Sequence, residues 1–328
     1  MRDKLEEFLF GKGRTEDHGP QAGADKEAKN QDQDRNESPL PATQPLPDPR
    51  PVNTGPQETE ATPEATSPAA EPRLDVASRC HIGAVRERNE DACYTFVASS
   101  GGDDPLPQVG LFIVADGMGG HYDGHTASKT VSRMVAQYVM EKVYLPLLQQ
   151  QNSGMQQPVQ EVLQEAVARA NAAIANDDPE KVMGTTLTAA LILAGRLFLV
   201  HVGDSRAYLL EDAELTAVTR DHSLVQALQD SGQISAAEAA SHPNRNLLYR
   251  ALMGERLDQI DAFTRALPAT GQLLLCSDGL WGPVPQQQIA AILRKKSSPQ
   301  QKVDQLLEAA LATGGDDNIT AILVDFVV

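Results

Sequence analysis

The chain is poor in the residues that staple a fold, cross a membrane or grip nucleic acid. Its three cysteines, Cys80, Cys93 and Cys276 in 328 residues, are an odd number and too few for a disulfide framework, which fits a reducing compartment. Basic side chains are outnumbered, 28 against 45 acidic, for a formal charge of -17. Without a basic excess there is little to neutralise the phosphates of a nucleic acid, and docking on anionic lipid is disfavoured. No uninterrupted apolar stretch approaches the roughly 18 residues of a spanning helix. The opening MRDKLEEFLFGK lacks the apolar core of a signal peptide. These absences predict a soluble, cytoplasmic protein with no membrane insertion. The acidity itself is compatible with a site that gathers cations.

Proline is abundant but lopsided. Residues 1–76 hold 11 of the 21 prolines, with 16 acidic and 9 basic side chains. Thr, Ser, Gln and Glu fill the gaps between the prolines. Such a stretch cannot bury enough apolar surface to offset its ordering entropy. We therefore expect a disordered, Pro-rich acidic tail over residues 1–74 and a single folded domain over residues 75–328. The tail reads as a flexible linker. Alternatively it is a tether, with Leu5, Phe8 and Leu9 on one side of a short helix.

In the folded part, periodicity predicts strands over 92–98 and 110–115 and helices over 127–145 and 159–175. Strands over 184–194 and 196–202 follow, with Ala194-Gly195 as the turn of a hairpin. Further strands are expected over 205–210, 272–276 and 319–327, and helices over 285–294 and 299–312. Residues 222–255 are polar and short-patterned. Paired helices separated by runs of strands predict an α+β fold with layered sheets. A parallel βαβ arrangement is disfavoured because strands and helices do not alternate regularly.

Acidic residues recur where apolar runs end, beside glycine or another small residue. They are Glu90 and Asp91 in RERNEDA, Asp116 in VADGMGGH, Asp204 in HVGDSR, Asp278 in CSDGLW and Asp317 in GGDDNIT. Singly, each is an ordinary turn aspartate bonding its own backbone. Together they suggest convergence at one edge of a sheet, where carboxylates repel unless a divalent cation sits among them. Oxygen ligands without a His or Cys cluster select hard ions, magnesium or manganese, over zinc.

The ordered set GAVRERNEDA, VADGMGGH, GTTLTAALI, HVGDSRAYLL, TRDHSLVQ, LLCSDGLW and GGDDNITAILV strongly resembles the metal-dependent type 2C (PPM-type) Ser/Thr protein phosphatases. The likeness covers about residues 75–328. It implies a central antiparallel β-sandwich flanked by helix pairs, four layers in the order α-β-β-α. It also implies two Mn2+ or Mg2+ ions at one end of the sandwich, with a third, weaker one. By the resemblance, Asp116 bridges the two metals and the Gly117 carbonyl binds the second. Asp278 and Asp317 complete the first metal's shell, and Glu90 lies at the second, directly or through water. Asp91 orders metal-bound water, Asp204 helps hold the third ion, and Arg86 grips the substrate phosphate. Met118 follows the Asp-Gly pair where many eukaryotic members have His. Bacterial members commonly have Met there with His three residues on, as His121 stands here, so the resemblance points to the bacterial branch.

The expected reaction is hydrolysis of phosphoserine and phosphothreonine proteins. A metal-activated hydroxide attacks the phosphomonoester in line, without a covalent phosphoenzyme. His121 or a metal-bound water protonates the leaving alkoxide. The other histidines, Cys276 and Trp281 read as structural. Expected partners are phosphorylated proteins and a cognate Ser/Thr kinase, the enzyme itself being a monomer. A binding module that keeps the fold without turnover is the alternative, disfavoured because Asp116, Asp278 and Asp317 are all present.

Overall fold

A computed structural model describes residues 71–103, 105–119, 123–149, 157–176, 183–240, 242–257 and 259–328. Three strands come first: β1 (Arg73–His81), β2 (Asp91–Ala98) and β3 (Val109–Met118). Helix α1 (Asp123–Val139) then runs on through a π-helical turn (Met140–Tyr144) and a last turn (Leu145–Leu148), and α2 (Val159–Ala173) follows. Five strands succeed them: β4 (Gly184–Thr185), β5 (Leu187–Leu193), β6 (Arg196–Val202), β7 (Arg206–Glu211) and β8 (Glu214–Ala217). Two short helices, α3 (Leu224–Asp230) and α4 (Ala236–Ala240), lead to β9 (Asp261–Ala266) and β10 (Thr270–Cys276). The chain closes with a single turn α5 (Asp278–Trp281), α6 (Gln286–Leu293), α7 (Pro299–Ala312) and β11 (Ile319–Val327).

The strands form two antiparallel sheets. One has the order β1-β11-β10-β7-β8; the other has the order β2-β3-β5-β6-β9, with β4 paired to β3. The apolar run of β3 is central, between β2 and β5, and Leu111 through Ala115 are fully buried. The β5–β6 hairpin turns on Ala194 and Gly195, whose φ values of 51° and 71° match the right-handed twist of the strands it joins. Helix α7 starts on a reciprocal cap: Ser298 accepts from the Gln301 backbone while Gln301 reaches back to the Ser298 backbone, with Pro299 in the first turn.

The core has three apolar layers. Phe112, Ala190, Leu199, Leu275 and Ile322 lie in the layer between the sheets. Val131, Val135, Leu163 and Val167 of α1 and α2 pack on the second sheet. Ile289, Leu293, Val303 and Leu306 of α6 and α7 pack on the first. The α-β-β-α sandwich expected from the sequence is the observed fold. Among the described residues, no helix is long and apolar enough to cross a membrane.

The differences from the sequence reading lie at edges and breaks. β1, β8, β9, α3 and α4 were not expected. β1 buries only Leu74 and Ala77 and β8 only Leu215, so a sheet edge leaves little apolar alternation to read. The strand expected over 184–194 is interrupted at Thr186, whose backbone N–H turns to the Asp116 carbonyl at 2.8 Å. Of the expected tail, residues 1–70 lie outside the described residues, and β1 begins at Arg73.

Candidate active site

Antiparallel pairing brings the C-terminal ends of β3, β6 and β10 to the same end of the sandwich as the N-terminal ends of β2 and β11. The acidic residues sit on these ends. Asp91 opens β2 opposite Asp116 of β3. Asp204 follows β6 across Gly203, which has φ 111°, and Asp278 opens α5 just after β10. Asp317 precedes β11, and Glu90 precedes β2. Glu90, Asp116, Gly117, Asp204, Asp278 and Asp317 line one cavity of about 710 Å³, together with Arg86. The structure thus brings together seven of the nine expected site residues. Asp91 stands beside Asp116 and is buried. His121 lies outside the described residues.

Each position is built by local bonds. The backbone of Asp116 is clamped by consecutive threonines: its N–H donates to Thr186 Oγ1 at 3.0 Å, and its carbonyl accepts from Thr185 Oγ1 at 2.9 Å. Gly117 donates to the Glu90 carbonyl at 3.2 Å. A Cβ at Gly117 would stand 2.2 Å from the Gly124 carbonyl oxygen, so only glycine allows this crossing of backbones. Ser277 Oγ donates to Asp91 Oδ2 at 2.7 Å and accepts from Thr320 N at 3.0 Å, tying the two sheets together under the site. Arg86 Nη2 meets Asp317 Oδ2 at 2.8 Å.

The sequence reading missed the residues that hold this frame. Asn318 spans the loop before β2 with one amide: Oδ1 accepts from Glu90 N at 2.7 Å, and Nδ2 donates to the carbonyls of Ile82 at 2.7 Å and Arg88 at 3.0 Å. Trp281 Nε1 donates to the Asp204 carbonyl at 3.0 Å, while Arg206 lies 3.4 Å over its ring and forms a two-pronged pair with Asp221. Trp281 therefore packs and positions, as the sequence suggested. His201 is fully buried between Thr188 and the Arg220 carbonyl, and burial pushes it down to about 3, so it stays neutral. His125 bonds the Asn89 carbonyl at 2.8 Å. Both histidines are structural.

The family described as protein phosphatase 2C matches residues 83–326 of this chain, a span that contains every one of these carboxylates. The chain belongs to the protein phosphatase 2C family. It is therefore a phosphoprotein phosphatase, a hydrolase. It is 38% identical over 247 residues to the serine/threonine phosphatase stp of Listeria welshimeri, covering 75% of this chain and 94% of that one. Its fold is similar to the crystal structure of the Mycobacterium tuberculosis serine/threonine phosphatase PstP, with TM-score 0.66, 38% identity, and 78% of this chain and 99% of that chain covered. It is also similar to the catalytic domain of PstP in complex with two manganese ions, with TM-score 0.63, 37% identity and the same coverage. These relatives place the chain in the bacterial part of the protein phosphatase 2C family.

The electrostatics explain what such a cavity demands. Asp116 is pushed well above the ordinary carboxylate range by burial and then by the negative charges of Asp91, Asp278 and Asp204. Burial and the neighbouring Asp278 do the same to Asp204, and burial and Asp317 raise Asp278. Asp278 adds to the rise of Asp116, and carboxylates gathered in one cavity in this way need a proton or a cation among them. Arg86 stays charged: desolvation opposes this, but Asp317 outweighs it. Among the described residues no three His, Cys, Asp or Glu side chains are grouped so as to hold a metal ion by themselves. The donor set instead suits hard ions that keep several waters and take only one or two carboxylates each. A cluster of buried and half-buried like charges, an oxygen-only donor set and a buried acceptor without a protein partner, Asp91 Oδ1, all fit divalent cations with their waters.

Proposed function

We propose that the chain is a metal-dependent phosphatase of phosphoserine and phosphothreonine proteins, using two Mn2+ or Mg2+ ions. The observation that carries this reading is the convergence of five carboxylates from both sheets on one cavity that Arg86 also lines. Asp116, which lines the cavity beside Gly117 and Asp278, would serve both ions. Asp278 and Asp317 would hold the first ion. Glu90 and the Gly117 carbonyl would hold the second, and Asp204 would contribute to a third, weaker one. Divalent ions bound here supply Lewis acidity and a water acidic enough to serve as the nucleophile near neutral pH.

The chain's own residues do the rest. Arg86 offers a planar fork that can bind two phosphate oxygens, a geometry Lys does not match. Because one of its nitrogens already bonds Asp317, the phosphate is held against the carboxylate cluster. Asp91, its Oδ2 fixed by Ser277, turns Oδ1 to a water. His121 donates the proton to the departing alkoxide; its assignment comes from the sequence alone. No side-chain nucleophile is needed, so no covalent phosphoenzyme forms. A cognate Ser/Thr kinase, a cytoplasmic location and a monomeric state complete the proposal.

The test is hydrolysis of p-nitrophenyl phosphate and a phosphothreonine peptide with manganese, with magnesium, and after chelation. We expect turnover only with added metal, and none from Asp278→Ala or Asp317→Ala protein whose circular dichroism is unchanged. Activity that survives exhaustive chelation overturns the reading.

A further inference from the structure

Two of the three cysteines lie beside the site without taking part in its chemistry. Cys80 lies on β1 and Cys93 on β2. These are the end strands of opposite sheets. Cys80 is an exposed residue, whereas Cys93 is half-buried and packs on the layer between the sheets. Two donors converge on the Cys80 sulfur, Asn89 Nδ2 at 3.2 Å and Thr320 Oγ1 at 3.1 Å, and the sulfur lies 3.7 Å from the carbonyl of Asp91, two residues before Cys93 on β2. Such a cradle favours the thiolate, the nucleophilic form of cysteine. The neighbouring Cys93 thiol first, then the hydrogen bonds of Thr320 and Asn89, lower Cys80 to about 6 against the opposing effect of burial. Cys93, raised by its neighbour Cys80 and then by burial, keeps its proton. The arrangement is a nucleophilic thiol on β1 that reaches the backbone of β2 two residues from a second thiol.

We propose that Cys80 and Cys93 are a peroxide-oxidised dithiol that closes into a reversible disulfide between the two sheets and thereby loosens the turn carrying Glu90 and Asp91. The Cys80 thiolate attacks one oxygen of hydrogen peroxide, forming an S–O bond and breaking the O–O bond; the departing hydroxide takes a proton from solvent and leaves as water. The Cys93 sulfur then attacks the sulfenic sulfur, an S–S bond forms, and the S–OH group leaves as a second water with the Cys93 proton. Two thiols lose two electrons, and one peroxide is reduced to two waters. Cys276 stays out of this chemistry, because it is fully buried and burial pushes it up to about 12.

The link to the site runs through Asn89. Its Nδ2 holds the Cys80 sulfur, its Oδ1 accepts from Asp91 N at 3.1 Å, and its carbonyl holds His125. Closing the disulfide draws the Cys80 sulfur to Cys93 and takes away the Asn89 partner, freeing the residue that precedes Glu90. The effect on turnover rests on the phosphatase reading; the disulfide does not.

The experiment treats the full-length, manganese-loaded protein with hydrogen peroxide and follows intact mass, the Cys80–Cys93 linked peptide and phosphatase rate. We expect the loss of two hydrogens per chain, a linked peptide that disappears on thiol reduction, and a fall in rate on the order of tenfold that reduction restores. Cys93→Ser should leave a sulfenic acid on Cys80 that dimedone traps, and Cys80→Ser should resist peroxide. Full alkylation of both thiols after peroxide treatment overturns the proposal, as does an equal loss of rate in the wild type and both variants. If the reduced protein has no activity at all, the phosphatase reading fails, while mass alone still decides the thiol chemistry.

Discussion

Arg86 is an exposed guanidinium bonded to a carboxylate of the cavity it lines. On the proposed role, its charge-assisted contacts to a phosphate would be worth about 1.5–3 kcal/mol in total. Arg86→Ala should therefore raise KM for a phosphopeptide by about tenfold or more, with a smaller change in kcat; steady-state kinetics showing an unmoved KM would remove its assigned role. The acidic residues were legible from the sequence because most of their sites adjoin an apolar run, where strand and turn chemistry both show. Asn318 was not legible in that way. Its partners Glu90, Arg88 and Ile82 lie 228, 230 and 236 positions away, and no local pattern announces an amide that spans such a distance. The threonine clamp on Asp116 is hidden for the same reason, and its residues read simply as β-branched strand formers.

At the level of elements, the buried strands and long helices declared themselves and the marginal ones did not. β3, β5 and β6 carry unbroken apolar runs, and the Ala194-Gly195 turn between two of them was visible as a dipeptide. β9 is half-buried along almost its whole length, and α3 has no buried residue, so neither leaves a periodic trace. Helix α7 shows how a cap is written in sequence: Ser298-Pro299 at its start and Gln301 three residues after the serine. Ser298→Ala removes one half of that reciprocal pair and should cost about 1 kcal/mol. Urea unfolding should show a lower midpoint with an unchanged slope, and the metal-supported rate should be unaltered, since α7 contributes no residue to the cavity.

For the molecule as a whole, the residues that line the cavity fall in the segment from Arg86 to Asn318, and the first strand of the sandwich begins at Arg73. Deleting residues 1–70 should leave kcat/KM for p-nitrophenyl phosphate within about twofold of the full chain. A larger loss in the same assay would show that the acidic, Pro-rich segment contributes to the catalytic body. The layered plan has one further effect. Asp116 and Asp204 ride on one sheet, and Asp278 and Asp317 ride on the other. What separates the two pairs is the filling of Phe112, Leu199, Leu275 and Ile322. That filling acts as a spacer block between two jaws: side chains that line no part of the cavity set the gap between its opposing carboxylates.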